Sequence, residues 1–209
     1  RMADYFSRHL VPLCDTALDI HSGGKTLDIL PFAAAHRLTD RIQEFRCIEG
    51  ARLFGAPYCF YMEEMDPTQL YDTTVEAQGK VFVTTELRGG GTTTPETIEM
   101  ADRGIHNFLV YSGILLKSYI EPTSDPIFLE IPNAQCYLQS EHNGILELCV
   151  NLGDDIKEGD LIARVYSTER SGQAPIEYRS QTHGILAARR HLAKISLGDT
   201  FAVLAKPID

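Results

Sequence analysis

The sequence predicts an α/β layer followed by a small all-β, barrel-like domain. Three observations carry that prediction. Strand-like and helix-like hydrophobic periods alternate over the first 120 or so residues. A proline-containing polar stretch, Glu121-Pro122-Thr123-Ser124-Asp125-Pro126, then breaks both periods. Beyond it, short β runs alternate with Gly-Asp turns. The expected organisation is therefore one domain over 1–121 and a β-rich one over 127–209.

The elements follow in order. Met2, Tyr5, Phe6 and Leu10 share one helical face that ends at Pro12. Ala17-Leu18-Asp19-Ile20 is short and strand-like, and it runs into a turn at His21-Ser22-Gly23-Gly24. Leu38, Ile42, Phe45 and Cys47 or Ile48 recur at helical spacing, with Thr39 or Asp40 available as the N-cap. Tyr58–Met62 reads as a buried strand, and Glu63, Glu64 and Asp66 after it as a polar loop rather than an acidic lip. Val81–Thr85 is a second, β-branched strand ending at Glu86, before Arg88-Gly89-Gly90-Gly91. Thr94-Pro95-Glu96 opens a helix whose stripe is Ile98, Ala101, Ile105, Phe108, Leu109, Ser112 and Leu116. Strands alternating with helices imply a largely parallel sheet.

The β-rich part contains a weak repeat. His142-Asn143-Gly144-Ile145-Leu146 precedes Gly153-Asp154 and Gly159-Asp160, as Thr182-His183-Gly184-Ile185-Leu186 precedes Gly198-Asp199. Each copy ends in an apolar strand, Leu161–Val165 or Phe201–Leu204. Two copies suit a barrel of two pseudo-symmetric halves, like the lipoyl and biotinyl carrier domains. A carrier needs a modifiable lysine at the hairpin between the halves. Residues 166–181 contain none, so the segment reads as a structural β domain.

Composition narrows the function classes. The 209 residues carry 29 acidic and 19 basic side chains, a net charge of −10, which argues against a nucleic-acid binder. No run of about 18 apolar residues is present, so no membrane span is expected. The five cysteines, Cys14, Cys47, Cys59, Cys136 and Cys149, form no CxxC pair and are expected to be buried thiols in a reducing, cytoplasmic setting. The chain begins at Arg1 with no charged-then-apolar leader after it, and so reads as a piece of something longer or a processed product.

Two strand ends could carry chemistry, because ligands in open α/β sheets sit beyond the carboxyl ends of strands. In Asp19-Ile20-His21-Ser22-Gly23-Gly24, the imidazole stands where the chain leaves the sheet. A neutral histidine there suits zinc, with a nearby carboxylate orienting its ring. A turn histidine is the plainer reading. In Thr85-Glu86-Leu87-Arg88-Gly89-Gly90-Gly91, a glutamate at a strand end suits a general base beside a metal-bound water. A solvated loop charge is the plainer reading there. Gly89-Gly90-Gly91 is no phosphate loop, since no GK[ST] follows.

The combination of DIHSGG (19–24), VEAQGKVFVTTELRGGG (75–91) and the TPET helix start resembles the succinylglutamate desuccinylase and aspartoacylase family, itself similar to zinc carboxypeptidases. Within it, the resemblance is greatest to the N-acetyl-diaminobutyrate deacetylase branch of ectoine degradation. The likeness covers nearly the whole chain and implies a zinc carboxypeptidase-like mixed sheet with flanking helices. It implies a metal-dependent amidohydrolase that cleaves the N-acyl amide of a small-molecule N-acyl amino acid. The family holds one zinc through an HxxE pair and a later histidine, which matches His21. Its catalytic glutamate matches Glu86, and Asp19 becomes the carboxylate behind His21.

Departures from the pattern qualify this picture. None of the seven histidines, His9, His21, His36, His106, His142, His183 and His191, has an acid three residues later. The HxxE pair and the Asn-Arg substrate segment are expected before Arg1, and the chain alone is expected to bind zinc weakly or not at all and to be inactive. Arg88 replaces an expected glycine and could bind a substrate carboxylate. Glu76, where aspartoacylases resemble one another in carrying an arginine, would suit a cationic amine; a helix-surface charge is the alternative. Two further readings stay open: a non-catalytic binding or assembly module with an incomplete metal site, and a metallocarboxypeptidase. An exposed sheet edge in the β domain could support a homo-oligomer.

Overall fold

The computed structural model describes residues 2–63, 70–116, 119–121 and 124–208. The elements in chain order are helix α1 (Met2–Tyr5), a π turn and a 3-10 turn through Leu13, then strands β1 (Thr16–His21), β2 (Leu27–Ile29) and β3 (Phe32–His36). Next come α2 (Arg41–Phe54), β4 (Tyr58–Met62), α3 (Tyr71–Glu76), β5 (Val81–Glu86) and α4 (Pro95–Tyr111). The remaining strands are β6 (Ile127–Glu130), β7 (Tyr137–Gln139), β8 (Gly144–Leu148), β9 (Asp155–Ile156), β10 (Leu161–Tyr166), β11 (Ile176–Arg179), β12 (Gly184–Arg190), β13 (Lys194–Ile195) and β14 (Thr200–Pro207).

The chain forms two compact units. The first comprises Arg1–His21, Pro31–Glu86 and Thr94–Phe128; the second comprises Ser22–Leu30, Leu87–Thr93 and Leu129–Asp209. Two short excursions, one after β1 and one after β5, thus belong with the β-rich part, whereas the sequence reading placed them in a continuous 1–121. The expected linker falls partly outside the described residues, at Pro122 and Thr123.

The first unit holds the strand order β1-β5-β3-β4. β1 and β5 are parallel, as are β3 and β4, but β3 runs antiparallel to β5. The sheet is therefore mixed rather than largely parallel. A parallel neighbour needs a crossover of a dozen or more residues. The chain between β1 and β3 is shorter and holds no helix, only β2, so it returns in the opposite direction.

The helices sit where caps predict but bury different faces. Asp40 caps α2 by accepting from the Ile42 and Gln43 amides at 2.9 and 3.1 Å. α2 buries Glu44, Cys47, Gly50, Ala51 and Phe54, while Ile42 and Phe45 are exposed, against the expected stripe. Glu44 can be buried because the Leu38 amide, Arg41 and the Tyr61 hydroxyl all donate to it. α4 opens with a reciprocal Thr94–Thr97 capping box and buries Met100, Gly104, Asn107 and Phe108, leaving Ile98 exposed. The buried Phe54 ring lies on Gly104; a Cβ there would fall 2.3 Å from the ring. The N-terminal face also differs from expectation. Met2, Tyr5, Phe6 and Leu10 are exposed, and Val11 instead enters a small core with Ala17, Val75 and Phe82.

The second unit realises the repeat. β12 pairs with β14 and β8 with β10, all antiparallel. Each half lends its short strand to the other: β13 pairs with β8, and β9 with β12. β7 and β2 extend the β14–β12 sheet on its two sides. The turns are reciprocal too. The Ser140 amide donates to Asp199 O and the Ser180 amide to Asp160 O, both at 2.9 Å. One core of Leu146, Ile156, Ile162, Val165, Leu186, Ile195, Phe201 and Leu204 fills the interior.

Three of the five cysteines are buried as expected, but Cys14 is half-buried and Cys149 exposed. Burial pushes the Cys47 thiol up to about 11 and the Cys59 thiol to about 12. Among the described residues no helix is long and apolar enough to cross a membrane.

Candidate active site

β1 and β5 are register partners along their whole length, and the last pair is His21 with Glu86. Neighbouring strands lie about 4.8 Å apart and register partners share a face. The two residues singled out in separate motifs therefore stand side by side at the carboxyl ends of adjacent parallel strands. Asp19, two residues back on β1, shares that face, and its Oδ2 lies 2.9 Å from His21 Nε2. A carboxylate can only accept there, so Nε2 carries the proton and the Nδ1 lone pair is left available. The buried Thr85 hydroxyl accepts from the His21 amide at 3.4 Å, tying the two strand ends together.

Glu86 is the electrostatically unusual member. Its Oε2 is buried and has no hydrogen-bond partner among the described residues. Burial raises its pKa above the ordinary carboxylate value; neighbouring His21 opposes the rise and Asp19 adds to it. A buried oxygen left unpartnered is rare in a folded protein, and with a pKa raised by burial it makes Glu86 a candidate functional group.

Donor chemistry suits His21 to one position in a metal site. A ligating imidazole commonly donates its other N–H to a carboxylate, as His21 does to Asp19. Among the described residues no group of three His, Cys, Asp or Glu side chains converges to complete such a site.

The other two predicted residues lie elsewhere. Glu76 is buried on α3, with both carboxylate oxygens 3.1 Å from His36 Nδ1. His36 ends β3, which runs antiparallel to β5 and begins opposite Glu86. Glu76 is thus at the far end of the sheet from Glu86, and its burial rules out the alternative of a helix-surface charge. Arg88 turns to its own protein rather than outward. Its Nε lies 3.0 Å and its Nη2 3.1 Å from the two oxygens of Asp28 on β2. It is also the one non-glycine with positive φ among the described residues, at 66°. That left-handed conformation costs a side-chain-bearing residue roughly 1–2 kcal/mol. The close approach expected of a glycine is made one residue later. A Cβ on Gly89 would lie 2.0 Å from Leu27 O.

Asp28 itself went unnoticed in the sequence, although an acid between Leu27 and Ile29 in a strand was a usable signal. Thr85 gave no signal apart from its place before Glu86.

Comparison with known proteins places the chain in a family. A model of the succinylglutamate desuccinylase/aspartoacylase catalytic domain matches residues 1–112. The N-alpha-acetyl-L-2,4-diaminobutyric acid deacetylase of Halomonas elongata is 54% identical over all 209 residues, which span 61% of that protein. The product-bound structure of the ectoine utilization protein EutE from Ruegeria pomeroyi superposes with a TM-score of 0.92 at 41% identity, covering 98% of this chain and 62% of that one. A succinylglutamate desuccinylase from Silicibacter sp. TM1040 gives a TM-score of 0.93 at 44% identity, over 99% of this chain and 62% of that one. With its mixed α/β architecture and more than half its length matched, the chain belongs to the succinylglutamate desuccinylase/aspartoacylase family.

Proposed function

We propose that this chain carries the proton-transfer machinery of a deacylase that hydrolyses the N-acyl amide of an acylated amino acid, with N-acetyl-2,4-diaminobutyrate as the favoured substrate. One observation carries the reading. Glu86, raised in pKa by burial and with an unpartnered oxygen, stands beside His21 at the ends of two parallel strands. The likeness to the Halomonas deacetylase supports the choice of acyl group and amino acid.

Amide hydrolysis needs a base to deprotonate the attacking water and an acid to protonate the departing amine. Glu86 serves both in turn: Oε2 takes the water's proton and returns it to the amine nitrogen. Its raised pKa brings it nearer the operating pH, which favours both transfers. Zinc, when bound, would polarise the acyl carbonyl and acidify the attacking water. His21 would hold it through Nδ1, with Asp19 fixing the ring from the other side. A catalytic zinc takes three protein ligands, so the others would come from outside the described residues.

The test uses the full-length protein and a panel of acetyl-, succinyl- and peptide-linked amines. Acetate release from N-acetyl-2,4-diaminobutyrate is expected to dominate. Glu86→Gln should lower kcat by about 10²–10⁴-fold, the usual worth of a positioned base. Near-normal turnover in that variant would remove Glu86 from the role, and cleavage of peptide-linked carboxyl-terminal residues alone would favour a carboxypeptidase.

A further inference from the structure

We propose that Asp28 is a positioning residue, which holds the loops leaving His21 and Glu86 through a clamp on Arg88. The inference rests on the active-site reading above, but the clamp has a signature of its own.

Asp28 is 5% exposed and its carboxylate is fully engaged. Arg88 binds it through two nitrogens, at 3.0 and 3.1 Å, one to each oxygen. Arg189, its direct register partner on β12, adds a third contact at 3.3 Å. Such forked, charge-assisted pairs fix orientation as well as adding energy. What is fixed here is the Arg88 backbone, which takes a conformation that suits glycine.

That backbone in turn holds its neighbours. The Gly23 amide donates to Arg88 O at 2.7 Å, the Gly90 amide to Leu27 O at 3.0 Å and the Gly91 amide to Gly24 O at 2.7 Å. Gly23 lies two residues after His21, and Arg88 two after Glu86. The stretches that follow the base and the imidazole are thus stitched to each other, and Asp28 anchors the stitch. Displacing a reacting group by about 1 Å can lower turnover on the order of 10²-fold.

The alternative role for Arg88, a guanidinium aimed at a substrate carboxylate, makes a different prediction. Arg88→Ala and Arg88→Gly remove the guanidinium equally. Only glycine takes the left-handed conformation freely. The full-length protein would be compared as wild type, Asp28→Asn, Arg88→Ala and Arg88→Gly. Readouts are kcat and KM on the acylated amino acid, and amide hydrogen exchange over 22–30 and 87–93.

Asp28→Asn and Arg88→Ala should speed exchange in both stretches about tenfold, leaving the β1 and β5 amides unchanged. They should lower kcat by about tenfold or more with KM within about twofold. Arg88→Gly should lose clearly less than Arg88→Ala in both readouts. Equal losses in the alanine and glycine variants, expressed in KM, would overturn the clamp in favour of substrate binding. Unchanged exchange in Asp28→Asn and Arg88→Ala would overturn it outright. If Asp28→Asn does not fold, the alanine–glycine pair decides. A wild type without deacylase activity would defeat the functional reading, and hydrogen exchange would still judge the clamp.

Discussion

Replacing Glu86 with glutamine should stabilise the protein while it disables the proposed chemistry. In the folded chain Glu86 Oε2 is buried without a partner, and burial is the main cause of its raised pKa. An unpartnered buried polar group costs roughly 1–3 kcal/mol, and more when charged. Glutamine also leaves an atom unpartnered, so only the excess due to charge is relieved. For a half-buried side chain that is about 1 kcal/mol. In a chain of this size it corresponds to a Tm rise of about 2–4 °C.

The pH dependence has a definite sign. A group whose folded pKa is raised holds its proton more tightly when folded than unfolded. Its contribution is intact below the unfolded carboxylate range and is lost as pH rises through the folded value. The Tm difference between Glu86→Gln and wild type should therefore be small near pH 4 and fully developed at pH 8. Calorimetry of chelator-treated protein across that range is the assay. A variant that melts lower than wild type at pH 8, or a difference independent of pH, would refute the reasoning.

Two further substitutions test the packing of the first unit. Gly104→Ala places a methyl 2.3 Å from the fully buried Phe54 ring. Overpacking there should destabilise by about 1–3 kcal/mol despite the better helix propensity of alanine, read by urea unfolding; a neutral or stabilising effect would mean that the ring can move aside. Asp40→Ala removes the acceptor of two amides at the start of α2 and should cost about 1 kcal/mol, with an unchanged Tm counting against the cap.

The candidate residues are legible in the sequence where a motif coincides with a strand end. Asp19, His21 and Glu86 could be singled out because apolar runs stop there and glycines follow. That His21 and Glu86 are partners could not be read, because strand pairing over 65 positions is a long-range property with no local trace. β2 and β3 leave no strand signal of their own: β2 is three residues long and β3 is the short run Phe32–His36, dominated by alanine without alternation. Helix boundaries were legible through Asp40, Thr94 and Pro95, yet the buried faces were not. On α2 the buried face combines Phe54 with the small Cys47, Gly50 and Ala51, which let neighbouring elements approach, so the large apolar Ile42 and Phe45 mislead. Glu76 and Arg88 were seen as charges, and their partners His36 and Asp28 decide what those charges do.

The exchange of strands and turns between the two halves of the barrel has a kinetic consequence. β8 is not closed until β13 exists, and the turn at Ser140 waits for Asp199. At about 5–20 residues per second of synthesis, the roughly 50 residues separating β8 from β13 take about 2–10 s to appear. The first half must spend that interval with open edges. Such high contact order predicts slow, all-or-none closure of the barrel. It also makes transient strand exchange between nascent copies the hazard that folding has to outrun.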